Sequence, residues 1–208
     1  MKNLSIITHP LIQRDLSILR DRRTSSDQFR QTLSRIAALM TYEVTKDLSL
    51  EYLTITTPLE RTRGCRLSQE LVLVPVLRAG LGMVEGFLNF LPEAKVGHIG
   101  LYRDEETLKP VDYYSKFPKT LKQSLVFLID PMLATGGSAS AAIRFMKEKE
   151  AKRIRLMCLV VAPEGVRRLT REHPDVAIYT AALDRQLNKR GYILPGLGDA
   201  GDRIFGTG

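Results

Sequence analysis

The chain has no tryptophan, two cysteines, and 23 Asp plus Glu set against 31 Lys plus Arg in 208 residues. Each scarcity excludes something. Cys65 and Cys158 stand alone, without CxxC spacing or a Cys/His cluster, so neither a disulfide framework nor a structural zinc site is supported. Both read as ordinary semi-buried thiols. The deficit of acids leaves a net charge of +8 and a pI near 9.6, which favours an anionic partner: nucleotide, phosphosugar, nucleic acid or acidic lipid. Long apolar runs are also missing. The longest are strand-sized, far short of the roughly 20 residues a membrane-spanning helix requires, and the N-terminus has no leader pattern, so a cytoplasmic location is expected. No repeat, low-complexity tract or linker divides the chain, and a single domain over residues 1–208 is expected.

What is present is a regular alternation. A short strand over 4–8 precedes Pro10, which suits the first turn of a helix reaching about Arg22. Ser25 and Gln28 form a capping-box pattern for a second helix. There Phe29, Leu33, Ile36, Met40 and Val44 recur at helical spacing down to about Asp47. The apolar stretches ELVLVPVL (70–77), KVGHIGLY (95–102), SLVFLID (124–130), RIRLMCLVVA (153–162) and VAIYT (176–180) then follow, separated by helix-length segments. That pattern predicts an α/β fold: a mainly parallel central sheet flanked by helices, with ligands at the carboxyl ends of its strands. None of the three histidines reads as catalytic, since His9 and His173 precede prolines and His98 lies inside a strand.

The stretch LVFLIDPMLATGGS (125–138) ends a buried strand in a carboxylate and hands over to small residues. Thr135, Gly136, Gly137 and Ser138 lie where a helix N-terminus presents unpaired N–H groups and a positive dipole end, which suits a phosphate. A Walker A loop is excluded, because Gly137 is followed by Ser138 and not Lys. A dinucleotide fingerprint is excluded too. After Gly80 and Gly82 the third glycine is replaced by Glu85, and the literal match at Gly196, Gly198 and Gly201 lies too near the C-terminus for a βαβ unit. Asp130 would repel a phosphate beside it. It fits as an acceptor for sugar hydroxyls one ribose length away, so a phosphorylated pentose suits both ends of the loop.

DPMLATGGS (130–138) resembles the 5-phosphoribosyl 1-diphosphate (PRPP) loop of the type I phosphoribosyltransferases. Most of them carry two adjacent acids there, whereas here Asp130 is followed by Pro131. Together with PVLRAGLGM (75–83), APEG (162–165) and GYILPGLGDAGDRIFGT (191–207), it is similar to the uracil phosphoribosyltransferase family. The resemblance covers essentially the whole chain. It implies transfer of the phosphoribosyl group of PRPP to N1 of uracil, giving UMP and diphosphate. Arg78 and Arg103 are implied to bind PRPP, as are Asp130, Pro131, Met132, Leu133, Ala134, Thr135, Gly136, Gly137, Ser138 and Asp199. Arg78, Arg103 and Asp199 are the implied catalytic set. Ile193, Gly198, Asp199 and Ala200 are implied to hold uracil, chiefly through main-chain groups, within a hood formed mostly by residues 181–208. Mg²⁺ is implied to arrive on PRPP without a protein cage of its own. The segment YRDEETLKPVDYYSKFP (102–118) matches the flexible catalytic loop, read as a lid.

The family also implies a homodimer or larger homo-oligomer, with GTP as an activator. Departures lie beside the hood, at Arg185, Gln186, Lys189, Arg190 and the terminal Gly208. The rival reading is an RNA-binding pyrimidine-operon regulator on the same fold, its RNA face formed by Arg144, Lys147, Lys149, Lys152, Arg153, Arg155, Arg167, Arg168 and Arg171. The intact hood argues against it.

Overall fold

A computed structural model describes residues 3–103 and 110–207, and side chains are described outside 102–112. The strands β1 (Leu4–Ile6), β4 (Leu71–Leu77), β6 (His98–Arg103), β7 (Pro110–Lys116), β8 (Leu125–Ile129), β10 (Arg153–Val161) and β11 (Ala177–Leu183) form one sheet in the order β1-β11-β10-β8-β4-β6-β7. The short β5 (Lys95–Val96) and β9 (Met132–Leu133) join β4 and β10. All these pairings are parallel except that of β6 with β7. β4, β8 and β10 carry long runs of buried residues, as strands covered on both faces must.

Helices α1 (Pro10–Arg20), α2 (Ser26–Thr45) and α3 (Val84–Leu88) build the core on one face with Phe29, Leu33, Ile36, Met40 and Phe87. α4 (Gly137–Glu148) and α5 (Pro163–Glu172) cover the other with Ile143, Met146, Val166 and Leu169. Among the described residues no helix is long and apolar enough to cross a membrane.

Several sequence expectations need correction. The capping box of α2 does not form: Ser25 is the N-cap but its side chain makes no cap hydrogen bond. α1 stops at Arg20, where Asp21 turns extended and its N–H closes on Ser17 and Ile18. The first strand is shorter than expected, and β11 runs on to Leu183. Cys158 is fully buried and Cys65 exposed, so neither is semi-buried.

A hairpin of β2 (Leu50–Thr56) and β3 (Arg61–Leu67), not foreseen from the sequence, leaves Leu50, Tyr52, Leu53 and Ile55 exposed on both faces and Leu59 95% exposed at its tip. The largest correction concerns the expected lid. Residues 110–116 form β7, paired antiparallel with β6 from Arg103↔Pro110 to His98↔Lys116, so most of the segment is hairpin and not loop. Val111, Tyr113 and Tyr114 are residues that favour strands. The part of the lid at 104–109 lies outside the described residues.

Candidate functional site

Three neighbouring strands, β8, β4 and β6, lead into one end of the sheet with Asp130, Arg78 and Arg103, in a stagger: Asp130 is level with Val76 and Ile99, so Arg78 lies two residues and Arg103 four residues farther along. Parallel neighbours lie about 4.8 Å apart, so β8 and β6 are separated by roughly 10 Å across the sheet, and the stagger spreads the three residues further along it. The description of Arg103 is confined to its backbone, the last position of β6.

Asp130 is half-buried, and its one side-chain hydrogen bond among the described residues comes from the Met132 N–H at 3.3 Å. Burial pushes its carboxyl up to about 7, only partly opposed by that donor. No cation compensates it among the described residues, so it is an acceptor waiting for a donor.

Beyond Asp130 the chain does not go straight into a loop. The carbonyl of Pro131 accepts from Leu159 and Val160 N–H at 2.9 and 3.1 Å, and Met132 and Leu133 then resume the sheet as β9 beside β10. Pro131 and Leu133 are buried, with Leu133 in the core, so their side chains face away from the crevice. The open part is Ala134 to Ser138. Thr135 and Ser138 are exposed, and Gly136 (φ 76°) is the N-cap of α4, a left-handed conformation that glycine adopts without strain. No side chain caps α4 and no acid sits in its first turn, so its leading N–H groups face the crevice. Only the Gly137 N–H has a local acceptor, Thr135 Oγ1 at 3.4 Å.

The loop is braced by α5. A Cβ at Gly165 would stand 2.4 Å from the Ala134 carbonyl, so only glycine lets the two segments pack. One residue earlier, Glu164 Oε1 accepts from the Leu187 N–H at 3.1 Å, which holds that carboxyl below its usual range and ties α5 to the tail.

The tail folds over this end of the sheet. β12 (Gln186–Leu187) pairs with β13 (Ile193–Leu194), and the turn between them is fixed by Asn188, whose side-chain oxygen accepts from Arg190 and Tyr192 N–H at 2.8 and 3.0 Å. Gly191 in that turn lies against Thr135. Helix α6 (Ala200–Phe205) follows, capped by Asp199, whose Oδ1 accepts from the Asp202 N–H at 3.0 Å. The first N–H groups of a helix lack internal acceptors, so those of Ala200 and Gly201 remain for a ligand. Arg78 reaches this helix with Nη2 3.4 Å from Asp202 Oδ1 and its guanidinium 5.8 Å from the Phe205 ring.

Residues that sequence reasoning did not single out hold the tail down. Buried Asp184 takes both Nη atoms of Arg20 at 2.6 and 3.0 Å and the Gly196 N–H at 2.9 Å. Arg20 also donates to the Gly196 carbonyl. Arg203 binds the carbonyls of Leu19, Asp21 and Leu197 and lies 4.5 Å over Phe29, while Arg30 donates to the Ile204 carbonyl at 2.8 Å. Arg20 and Asp184 are 164 positions apart, and no local signal links them. Two of the three histidines take structural places: His9 caps α1, and buried His173 sits 3.0 Å from Ser140 Oγ.

Four of the nine basic residues of the proposed RNA face are held in ion pairs among the described residues. Lys147 pairs with Asp175, Arg155 with Asp47, and Arg168 and Arg171 with Glu172.

Residues 6–207 match the family model described as uracil phosphoribosyltransferase. The uracil phosphoribosyltransferase of Finegoldia magna is 58% identical over the full length of both chains. The solved structure of the AQ2163 protein from Aquifex aeolicus superposes with a TM-score of 0.93 at 39% identity, covering 98% of each chain. Adenine phosphoribosyl transferase from Trypanosoma brucei, solved with AMP, pyrophosphate and ribose-5-phosphate, shares the fold at TM-score 0.62 and 12% identity, with 92% and 88% of the chains covered. The family model and the full-length relative both match this sequence throughout, and the chain belongs to the uracil phosphoribosyltransferase family.

Proposed function

We propose that this enzyme joins uracil N1 to the anomeric carbon of PRPP, releasing diphosphate and forming UMP. One observation carries the reading. Asp130, uncompensated and half-buried, stands one loop away from the uncapped N-terminus of α4, so one phosphopentose satisfies both. Its hydroxyls donate to Asp130, and its 5′-phosphate takes the N–H groups and hydroxyls of Ala134 to Ser138, with Pro131, Met132 and Leu133 shaping the backbone.

Arg78 and Arg103 meet the diphosphate, whose charge grows as the C1–O bond breaks, and stabilise it in departure. Mg²⁺ bound to PRPP supplies further charge neutralisation. Among the described residues no cluster of three His, Cys, Asp or Glu side chains forms a cage, and Asp130 is available to accept from the sugar hydroxyls or the metal's water shell.

Residues 181–208 act as the hood. Uracil presents two carbonyls flanking an N–H, which main-chain N–H groups around Gly198 and Ala200 and a carbonyl near Ile193 can match. Cytosine would place an amino group where an acceptor is needed. Asp199 is already committed to capping α6. Positioning of the ribose therefore suits it better than accepting the N1 proton. Asp199→Asn is expected to lower turnover without moving its pH profile, and a displaced profile would assign the proton to Asp199.

The exposed apolar hairpin β2–β3 supports a homo-oligomer, and the absence of a spanning helix among the described residues is compatible with a cytoplasmic enzyme. GTP activation rests on the family alone and is tested by adding GTP to the assay. The deciding experiment incubates the protein with PRPP, Mg²⁺ and a panel of free bases. UMP formed from uracil alone supports the reading, and transfer to hypoxanthine instead would overturn it.

A further inference from the structure

We infer that Arg168 is a further binding residue for the phosphorylated sugar, its guanidinium forming a cationic side wall of the α4 cradle, and that Glu172 positions it there. The inference rests on the reading of the cradle as the 5′-phosphate site. No position matched to the family's substrate contacts includes Arg168, which lies on α5.

The side chain runs along the glycine pair. A Cβ on Gly136 would lie 3.5 Å from Arg168 Cδ, and one on Gly137 would lie 3.4 Å from its Nη1. Arg168 thus occupies the flank that Gly136 and Gly137 leave free of side chains. Its Nε donates to Glu172 at 3.1 and 3.3 Å, whereas Nη1 and Nη2 make no hydrogen bond among the described residues. The anchored edge of the guanidinium fixes the side chain, and the free edge keeps its donors beside the first turn of α4.

Glu172 is itself held by that same helix. Ser140 Oγ, on α4 and 1% exposed, donates to Glu172 Oε2 at 2.6 Å and lies 3.0 Å from His173 Nε2. Ser140, Glu172 and Arg168 therefore form a closed strut from the second turn of α4 back to its N-terminus. Electrostatics point to an anion as the missing member. A guanidinium beside a helix N-terminus opposes the positive end of the dipole, and the first turn of α4 contains no acid to offset either. Glu172 offsets only one charge while meeting both Arg168 and Arg171. An anion seated between the α4 N–H groups and the free Nη atoms relieves the conflict, and a phosphate oxygen matches the guanidinium fork.

Arg168→Gln and Arg171→Gln separate this role from the general field, since each removes one charge from the same carboxylate partner. Both side chains are solvent-accessible, so neither change threatens folding. Steady-state kinetics with PRPP varied at saturating uracil, and calorimetric titration with ribose 5-phosphate alone, give independent readouts. Arg168→Gln is expected to raise the KM for PRPP and weaken ribose 5-phosphate binding by about tenfold each, with the KM for uracil unchanged. Arg171→Gln should match the wild type, Arg168→Lys should recover part of the loss, and Glu172→Gln should fall between. Equal losses in Arg168→Gln and Arg171→Gln, or no loss in the former, would overturn the assignment. If the wild-type protein makes no nucleotide from PRPP, the reaction proposed above fails, and the ribose 5-phosphate titration still decides on Arg168.

Discussion

Asp130 is where a single residue governs measurable behaviour. Its folded-state value near 7 stands above the ordinary carboxylate value of 3.8, so the folded protein holds this proton more tightly than the unfolded chain does. The contribution to stability is therefore fully present below about pH 4 and is lost as pH rises towards 7. The loss is at most about 4 kcal/mol if desolvation is complete. Asp130→Asn should accordingly make the ligand-free protein more stable than wild type at pH 8 and less distinguishable from it at pH 4, read from urea melts. The same substitution should lower turnover by about a hundredfold or more, because an amide places a donor where sugar hydroxyls need an acceptor. Sugar hydroxyls favour the carboxylate, so wild-type PRPP affinity should rise between pH 6 and 8, and this slope should vanish in Asp130→Asn. The cysteines give a simpler check. Exposed Cys65 should react with a thiol reagent in the native protein, and Cys158, whose thiol burial pushes well up, only after unfolding.

Among the elements, the tail shows how a binding surface is held without strand pairing to the main sheet. Its own ladder, β12 with β13, is two residues long, so its position depends on side chains that bind backbone groups: Arg20, Arg30 and Arg203 donate to carbonyls, and Glu164 accepts from the Leu187 N–H. Arg20 also pairs with Asp184, whose side chain is almost fully buried. Asp184→Asn leaves Arg20 without its counter-charge while keeping the shape. We expect a loss of about 2–4 kcal/mol in denaturant melts and a raised KM for uracil, with a smaller change in the KM for PRPP. A KM for uracil unaffected by the substitution would mean that the tail holds its shape without the clamp. The β6–β7 hairpin carries the opposite lesson. Mixed charge and two prolines suggested a loop, but Pro110 begins the strand, a place where its missing N–H costs nothing.

Across the whole molecule, the +8 charge is not one continuous face. Of the nine basic residues assigned to an RNA surface, Lys147, Arg155, Arg168 and Arg171 sit in ion pairs on different elements, which weakens that surface without altering the net charge. What remains near the strand ends should steer an anionic substrate. Raising salt from about 0.05 to about 0.5 M is expected to increase the KM for PRPP several-fold while leaving that for neutral uracil nearly constant. Equal salt effects on both would point to a change in the protein and not in substrate attraction.

The sequence by itself determined the parallel sheet, because strands buried on both faces must be written as unbroken apolar runs. It also determined the cradle, because a strand, a carboxylate and a Thr-Gly-Gly-Ser turn lie within one continuous stretch. Only the tertiary structure decided which side chains of that stretch face the crevice, that Met132 and Leu133 rejoin the sheet, and that Arg168 lies along Gly136 and Gly137. It alone revealed the pairing of Arg20 with Asp184 and the antiparallel partner of β6. The physical reason is one of range: backbone propensity and hydrophobic period act over a few residues and can be read locally. Ion pairs and main-chain contacts between distant segments depend on how the layers pack, which no short stretch encodes.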